Sequence, residues 1–180
     1  MRGRVREVKQ ILDNVGAVSE IQNILSAKWM KLVVNCMCLG PLAMLGLTLS
    51  EAMKLSGVRE FVLKAGTEAL AVGQDRGYKI EPIFGLSSID IKDTNHLLET
   101  LFDKLASDIG PAARDCVLQD HLKGRYSEVD MINGLVAKEN MLSGRLSPAN
   151  LAITKITEKI QNGELKPDPS NLKLALDLMN

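Results

Sequence analysis

Lys31 and Asn35 stand in the most apolar part of this chain, the stretch Trp29 to Leu39, WMKLVVNCMCL. Four residues apart on a helix, they share one face. A helix apolar on every other side belongs inside a core, and burying an ammonium and an amide there without partners costs roughly several kcal/mol. The fold or a ligand has to meet them, which makes them the first candidate site. The second is Glu128. If Ser127 caps a helix, at about 100° per residue Glu128 falls between Ile132 and Leu135, aimed inward from the first turn. An inward lysine and glutamate can do acid–base work. They fit a structural ion pair or a snorkelling lysine stem as well, so spacing alone leaves function open. His96 and His121 lack a second metal ligand at matching spacing. The turn Lys123-Gly124-Arg125 reads as solvated, with room beside Glu128 for an anion.

The elements that carry these residues are helical. Period-two alternation is absent over any useful length, aromatics are scarce, and Leu, Ile, Val, Met and Ala carry the apolar load. The spacing predicts an all-α chain of seven or so helices. Ser19 caps a helix that Gly40-Pro41 stop, and a short helix follows, capped by Ser50. Longer helices run over about Val58–Asp75 and Thr94–Ser107, ended by Gly77 and Gly110-Pro111. Pro148 opens a helix closed by Gly163, and Ser170 caps the last one. Twenty-two basic and 22 acidic residues cancel, so no overall field recruits nucleic acid or a membrane. Three cysteines in apolar surroundings, Cys36, Cys38 and Cys116, read as packed free thiols in a reducing compartment, and Cys-x-Cys on a helix argues against zinc. With no long uninterrupted apolar run and no signal-like start, the chain reads as soluble and cytoplasmic.

Two stretches in this order change the judgement about function: Lys28-Trp29-Met30-Lys31-Leu32-Val33-Val34-Asn35, then Leu118-Gln119-Asp120 with Arg125, Glu128, Asp130 and Asn133-Gly134. Together they resemble the C-terminal domain of ketopantoate reductase (2-dehydropantoate 2-reductase). Gly40-Pro41-Leu42-Ala43, Glu68 and Ser147-Pro148-Ala149-Asn150 extend the likeness to nearly the whole chain. The resemblance implies a helical bundle similar to the C-terminal domain of 6-phosphogluconate dehydrogenase, packed after a Rossmann domain that binds NADP. Residues 1–16 would then be the lead-in from that domain, and 17–180 the helical domain. The implied reaction is reduction of ketopantoate to pantoate in pantothenate biosynthesis.

Site roles follow from the resemblance one position at a time. Lys31 matches the general acid, whose ammonium polarises the ketone and protonates the alkoxide; a desolvated site would bring its pKa toward working pH. Asn35 matches a substrate-binding amide, and Glu128 the glutamate that orders the site beside substrate and nicotinamide ribose. Asp120 matches a supporting aspartate. Two positions depart: Leu39 stands where the family has a second asparagine, and Cys116 where it has a substrate-binding serine, a thiol being a poor donor. Both put ketopantoate itself in question and leave another 2-oxo acid open as substrate. No Gly-x-Gly-x-x-Gly occurs in the 180 residues, so the nucleotide would have to be held by a Rossmann partner. The expectation is an inactive half-enzyme on its own, working with that partner or as a homodimer. The alternative is a non-catalytic helical module that works through dimerisation.

Overall fold

The computed structural model describes residues 2–16, 18–91 and 96–180, and every described element is helical. The centre is α2, Ile24–Leu45, which packs against α4 (Val58–Asp75), α6 (Cys116–Leu122) and α8 (Pro148–Gln161). Around this centre lie α3 (Leu49–Ala52), α5 (Leu97–Asp108), α7 (Asn133–Leu142) and α9 (Asn171–Leu178), with a 3-10 turn at Val129–Met131. An amphipathic α1, Arg2–Leu12, precedes them, with Val5, Val8, Ile11 and Leu12 exposed. By length and composition α2 could cross a bilayer, but most of it is buried inside this fold.

Helix α2 begins later and ends later than its sequence predicts. Asn23, not Ser19, is the cap, accepting the Ser26 N–H at 3.1 Å. Gly40 and Pro41 do not stop the helix: it runs to Leu45 and ends where Gly46 turns left-handed, at φ 72°. Proline inside a helix costs about 3 kcal/mol; burial of Leu42, Ala43, Met44 and Leu45 offsets it. Gly40 serves close packing instead. A Cβ there would stand 2.4 Å from Asn133 Oδ1 and 2.6 Å from Ile153 Cγ2. Gly40→Ala should therefore lower stability by about 1–3 kcal/mol; a urea midpoint within error of the parent would show that the neighbours give way freely.

Elsewhere the caps decide the boundaries. Thr48, not Ser50, caps α3 in a reciprocal box with Glu51. Ser170 sits at the N-cap of α9, but its hydroxyl bonds to Asp168 rather than to the helix. Helix α4 matches its predicted span, and Phe61, Ala65 and Val72 face the core as the period requires. The expected start of α5 at Thr94 lies outside the described residues. Trp29 ties α2 to α4: its indole N–H donates to Ala69 O at 2.9 Å, and Gly73 leaves room for the ring.

Candidate functional site

Lys31, Asn35, Cys38, Leu39 and Leu42 form one stripe along α2, at spacings of three and four. That stripe floors a cleft of about 260 Å³. Its walls come from Leu49 on α3, Phe84 in the connection before α5, Leu105 and Ile109 at the end of α5, and Arg114 and Asp115 leading into α6. Lys31 is exposed and Asn35 half-buried, so the core burial expected from the apolar run is not what they meet. They look into an open cleft, and Lys31 has no ion pair among the described residues. Phe84 holds φ at 56°, a left-handed conformation that costs an aromatic residue of order 1–3 kcal/mol. Larger grooves lie beside α1 and residues 18–22; the one at α1 also sets Arg4, Lys9 and Gln22 among Val5, Val8 and Leu12, but neither reaches the stripe that carries Lys31 and Asn35.

The other candidates gather around α6. Cys116, the first residue of α6, is exposed rather than packed, and its thiol stands 3.8 Å from Glu128 Oε1. Burial first, then the charges of Asp115 and Glu128, raise the thiol's pKa above its ordinary value. Glu128 is exposed too, which corrects its inward placement. No helix starts at Ser127. The 3-10 turn buries Val129 and the chain breaks at Ile132 before α7, so the helical count from Ser127 does not apply. Ser127 instead bonds to the His121 ring at 3.3 Å and accepts from Gln161 at 2.7 Å. Asp120 pairs with Arg125 at 2.9 Å while its carbonyl accepts the Arg125 amide, closing the turn after α6. It does not line the cleft.

Asp115 is the site residue that the sequence does not mark. Its Oδ1 caps α6 by accepting the Leu118 N–H at 2.8 Å, while its other oxygen is sealed from solvent without a partner. Burial pushes its carboxyl up to about 6, against the amides of Leu118 and Val117, which pull it down. Cys38 beside it is pushed up to about 12, by burial first and then by the Asp115 charge. The folded state thus disfavours ionised Asp115. Its stabilising neutral form is fully present below about pH 4, is lost as pH rises through about 6, and leaves a cost above that of up to about 3 kcal/mol, less for the solvated part of the side chain. Asp115→Asn keeps the cap. It should raise stability by about 1–3 kcal/mol near neutral pH and flatten the dependence between about pH 4 and 6; thermal unfolding across that range checks it, and no gain at neutral pH would refute the burial argument.

Among the described residues neither a metal nor a nucleotide has a holder of its own. Among the described residues no cluster of His, Cys, Asp and Glu could hold a metal ion. The same residues contain no strand, and so no glycine-rich strand-to-helix turn against which a pyrophosphate could rest. They do not fit a dinucleotide by themselves.

Comparison with solved structures finds the same architecture. A ketopantoate reductase of the PanE/ApbA family from Ralstonia eutropha JMP134 aligns over 83% of this chain and 45% of its own, with a TM-score of 0.69 and 22% identity. D-mandelate dehydrogenase, solved with NADH and anilino(oxo)acetate, aligns over 88% and 49%, with a TM-score of 0.71 and 18% identity. The dimeric ketopantoate reductase of Staphylococcus aureus aligns over 89% and 52%, with a TM-score of 0.68 and 17% identity. The chain spans about half the length of each. No curated protein matches it. The family model "Ketopantoate reductase PanE/ApbA C terminal" matches residues 23–161, from the cap of α2 to the end of α8. The chain therefore belongs to the ketopantoate reductase C-terminal domain family.

Proposed function

We propose that this domain is the substrate-binding and catalytic half of an NADP-dependent reductase that turns the ketone of a 2-oxo acid into an alcohol, the reaction that takes 2-dehydropantoate to pantoate in pantothenate biosynthesis. The observation that carries the reading is the presence of Lys31 and Asn35 on one stripe of α2 inside a small cleft. The nicotinamide, held by a Rossmann domain outside these residues, supplies the hydride when bound. Lys31 holds an ammonium against the carbonyl oxygen and gives it a proton as negative charge develops there. Asn35 orients the acid from the next turn. Glu128 and Cys116 form a contacting pair next to Asp115 and order the site from the side, and Asp120 supports them through the turn it closes. Residues 1–16 are the lead-in from the Rossmann domain. The NADH bound to the D-mandelate dehydrogenase relative supports a nicotinamide cofactor, and three free thiols suit the cytoplasm.

The test is NADPH oxidation followed by absorbance, with the chain alone and mixed with a Rossmann domain, over a panel of 2-oxo acids. Activity only in the mixture supports the reading. No activity in either case, from a folded helical chain, refutes it. A second reading, a module that works through dimerisation, draws on the exposed cluster Met141, Leu142, Leu146 and Leu151, part of which lines a groove of about 280 Å³. Light scattering that shows a monomer over a wide concentration range would remove it.

A further inference from the structure

Two cations line the cleft over α2, and reduction of a ketone calls on one of them. Lys31 and Leu42 mark the ends of its floor, 11 residues apart, or about 16 Å along the helix axis. The Lys31 end offers an ammonium and the Asn35 amide. Arg114, from the segment leading into α6, belongs to the other end. It shares the lining with Leu49 of α3, the helix that follows the C-terminal end of α2. Its charge is felt on that helix: the Glu51 carboxyl is held below its ordinary value by the Thr48 amide and hydroxyl first, and by Arg114 after them. Glu51 itself is outside the lining, with Oε2 accepting from the Thr48 amide at 2.8 Å and from its hydroxyl at 2.9 Å. The one carboxylate in the lining turns away: Asp115 commits Oδ1 to the Leu118 amide, and Oδ2 has no solvent-exposed surface. Among the described residues neither Lys31 nor Arg114 makes an ion pair. Between the two heads the floor is Cys38, Leu39 and Leu42, a surface suited to methylene groups. A ligand that brings a negative group to each end matches this distribution of charge.

Resting on the reductase reading above, we propose that the substrate is a 2-oxo acid with a second carboxylate at the end of its side chain, and that Arg114 holds this second carboxylate. The first carboxylate and the ketone sit at Lys31 and Asn35, and the methylenes between lie on Leu39 and Leu42. The terminal carboxylate meets the guanidinium, whose planar fork can donate to both of its oxygens. Arg114 touches no reacting atom in this arrangement. It selects the acid by binding its far end, an attraction equal before and during hydride transfer, and so it acts on affinity rather than on the chemical step.

Titration calorimetry of the full chain at low salt tests the proposal. It compares 2-oxoglutarate and 2-oxoadipate with 2-oxopentanoate and 2-oxohexanoate, the same chains with a methyl in place of the second carboxylate, and with 2-dehydropantoate. At least one diacid should bind about 10-fold or more tightly than its methyl counterpart and than 2-dehydropantoate. Arg114→Gln, checked for retained helicity, should bring that ratio to within about 3-fold, and Arg114→Lys, which keeps the charge without the fork, should restore part of it. Lys31→Ala should weaken diacids and monoacids alike. If the monoacids bind as tightly as the diacids, or Arg114→Gln weakens both classes equally, the second-carboxylate class is wrong and the reductase reading stands. If Lys31→Ala leaves every affinity unchanged, or none of the acids binds, the reductase reading falls and the proposal falls with it.

Discussion

Lys31→Ala is expected to lower turnover of the domain reconstituted with a Rossmann partner by about 10²- to 10⁴-fold, the range for loss of a positioned general acid. The fold should not change, because Lys31 is exposed and has no ion pair among the described residues. The loss should fall mainly on kcat, since the ammonium interacts most strongly with the oxygen as it becomes an alkoxide. A smaller rise in KM is expected from the lost attraction for the acid's carboxylate. Lys31→Arg keeps the charge but donates a proton poorly near neutral pH. It should restore much of KM and little of kcat. Steady-state kinetics on both variants decides the matter: a kcat within about 3-fold of the parent in Lys31→Ala would remove Lys31 from the chemistry. Because Lys31 is exposed on this domain, the desolvation that the role calls for has to come from whatever closes over the cleft.

Glu68→Ala should cost about 3–5 kcal/mol of folding stability, the largest loss expected of any single change here. Glu68 is buried on α4, with Oε1 accepting the Ala149 amide and Oε2 the Asn150 amide, each at 3.0 Å. These are first-turn donors of α8 that have no partner within the helix, and a negative charge there is favourable. Oε2 also accepts from the Asn150 side chain at 2.8 Å. That side chain donates to Ala65 O and accepts from Asn133, which in turn donates to Cys36 O on α2. One carboxylate thus begins a chain of hydrogen bonds through α4, α8, α7 and α2. Truncating it leaves three buried donors short of an acceptor, at about 1–3 kcal/mol each before relaxation. Urea unfolding measures the cost, and a loss under about 1 kcal/mol would mean that water or a shifted α8 replaces the carboxylate. The network ends at Cys36, next to Asn35. Glu68→Gln should therefore also loosen the register of α2 under the cleft, seen as faster amide exchange around Asn35.

What the sequence determined by itself is what neighbours along the chain decide. The all-α class, the span of α4, the start of α8 at Pro148 and its stop at Gly163 follow from local period, caps and breakers, because these act within a turn or two. The stripe that joins Lys31 to Asn35 belongs here too, since helical geometry alone aligns residues four apart. Glu68 and the run Ser147 to Asn150 were visible as separate motifs, but nothing local says that they bond to one another across 81 and 82 residues. Only the tertiary structure decided that. It also decided that α2 runs through Gly40-Pro41, because burial around Leu42 to Leu45 outweighs a local breaker. Glu128 came out exposed for a related reason. The turn at Val129–Met131 and the break at Ile132 replace the regular helix whose period placed Glu128 inward. Arg114, Asp115 and Phe84 reach the cleft from loops and helix ends, where no period marks a face. A cleft is made by segments far apart in the chain, and the sequence holds its floor in one piece and its walls in fragments.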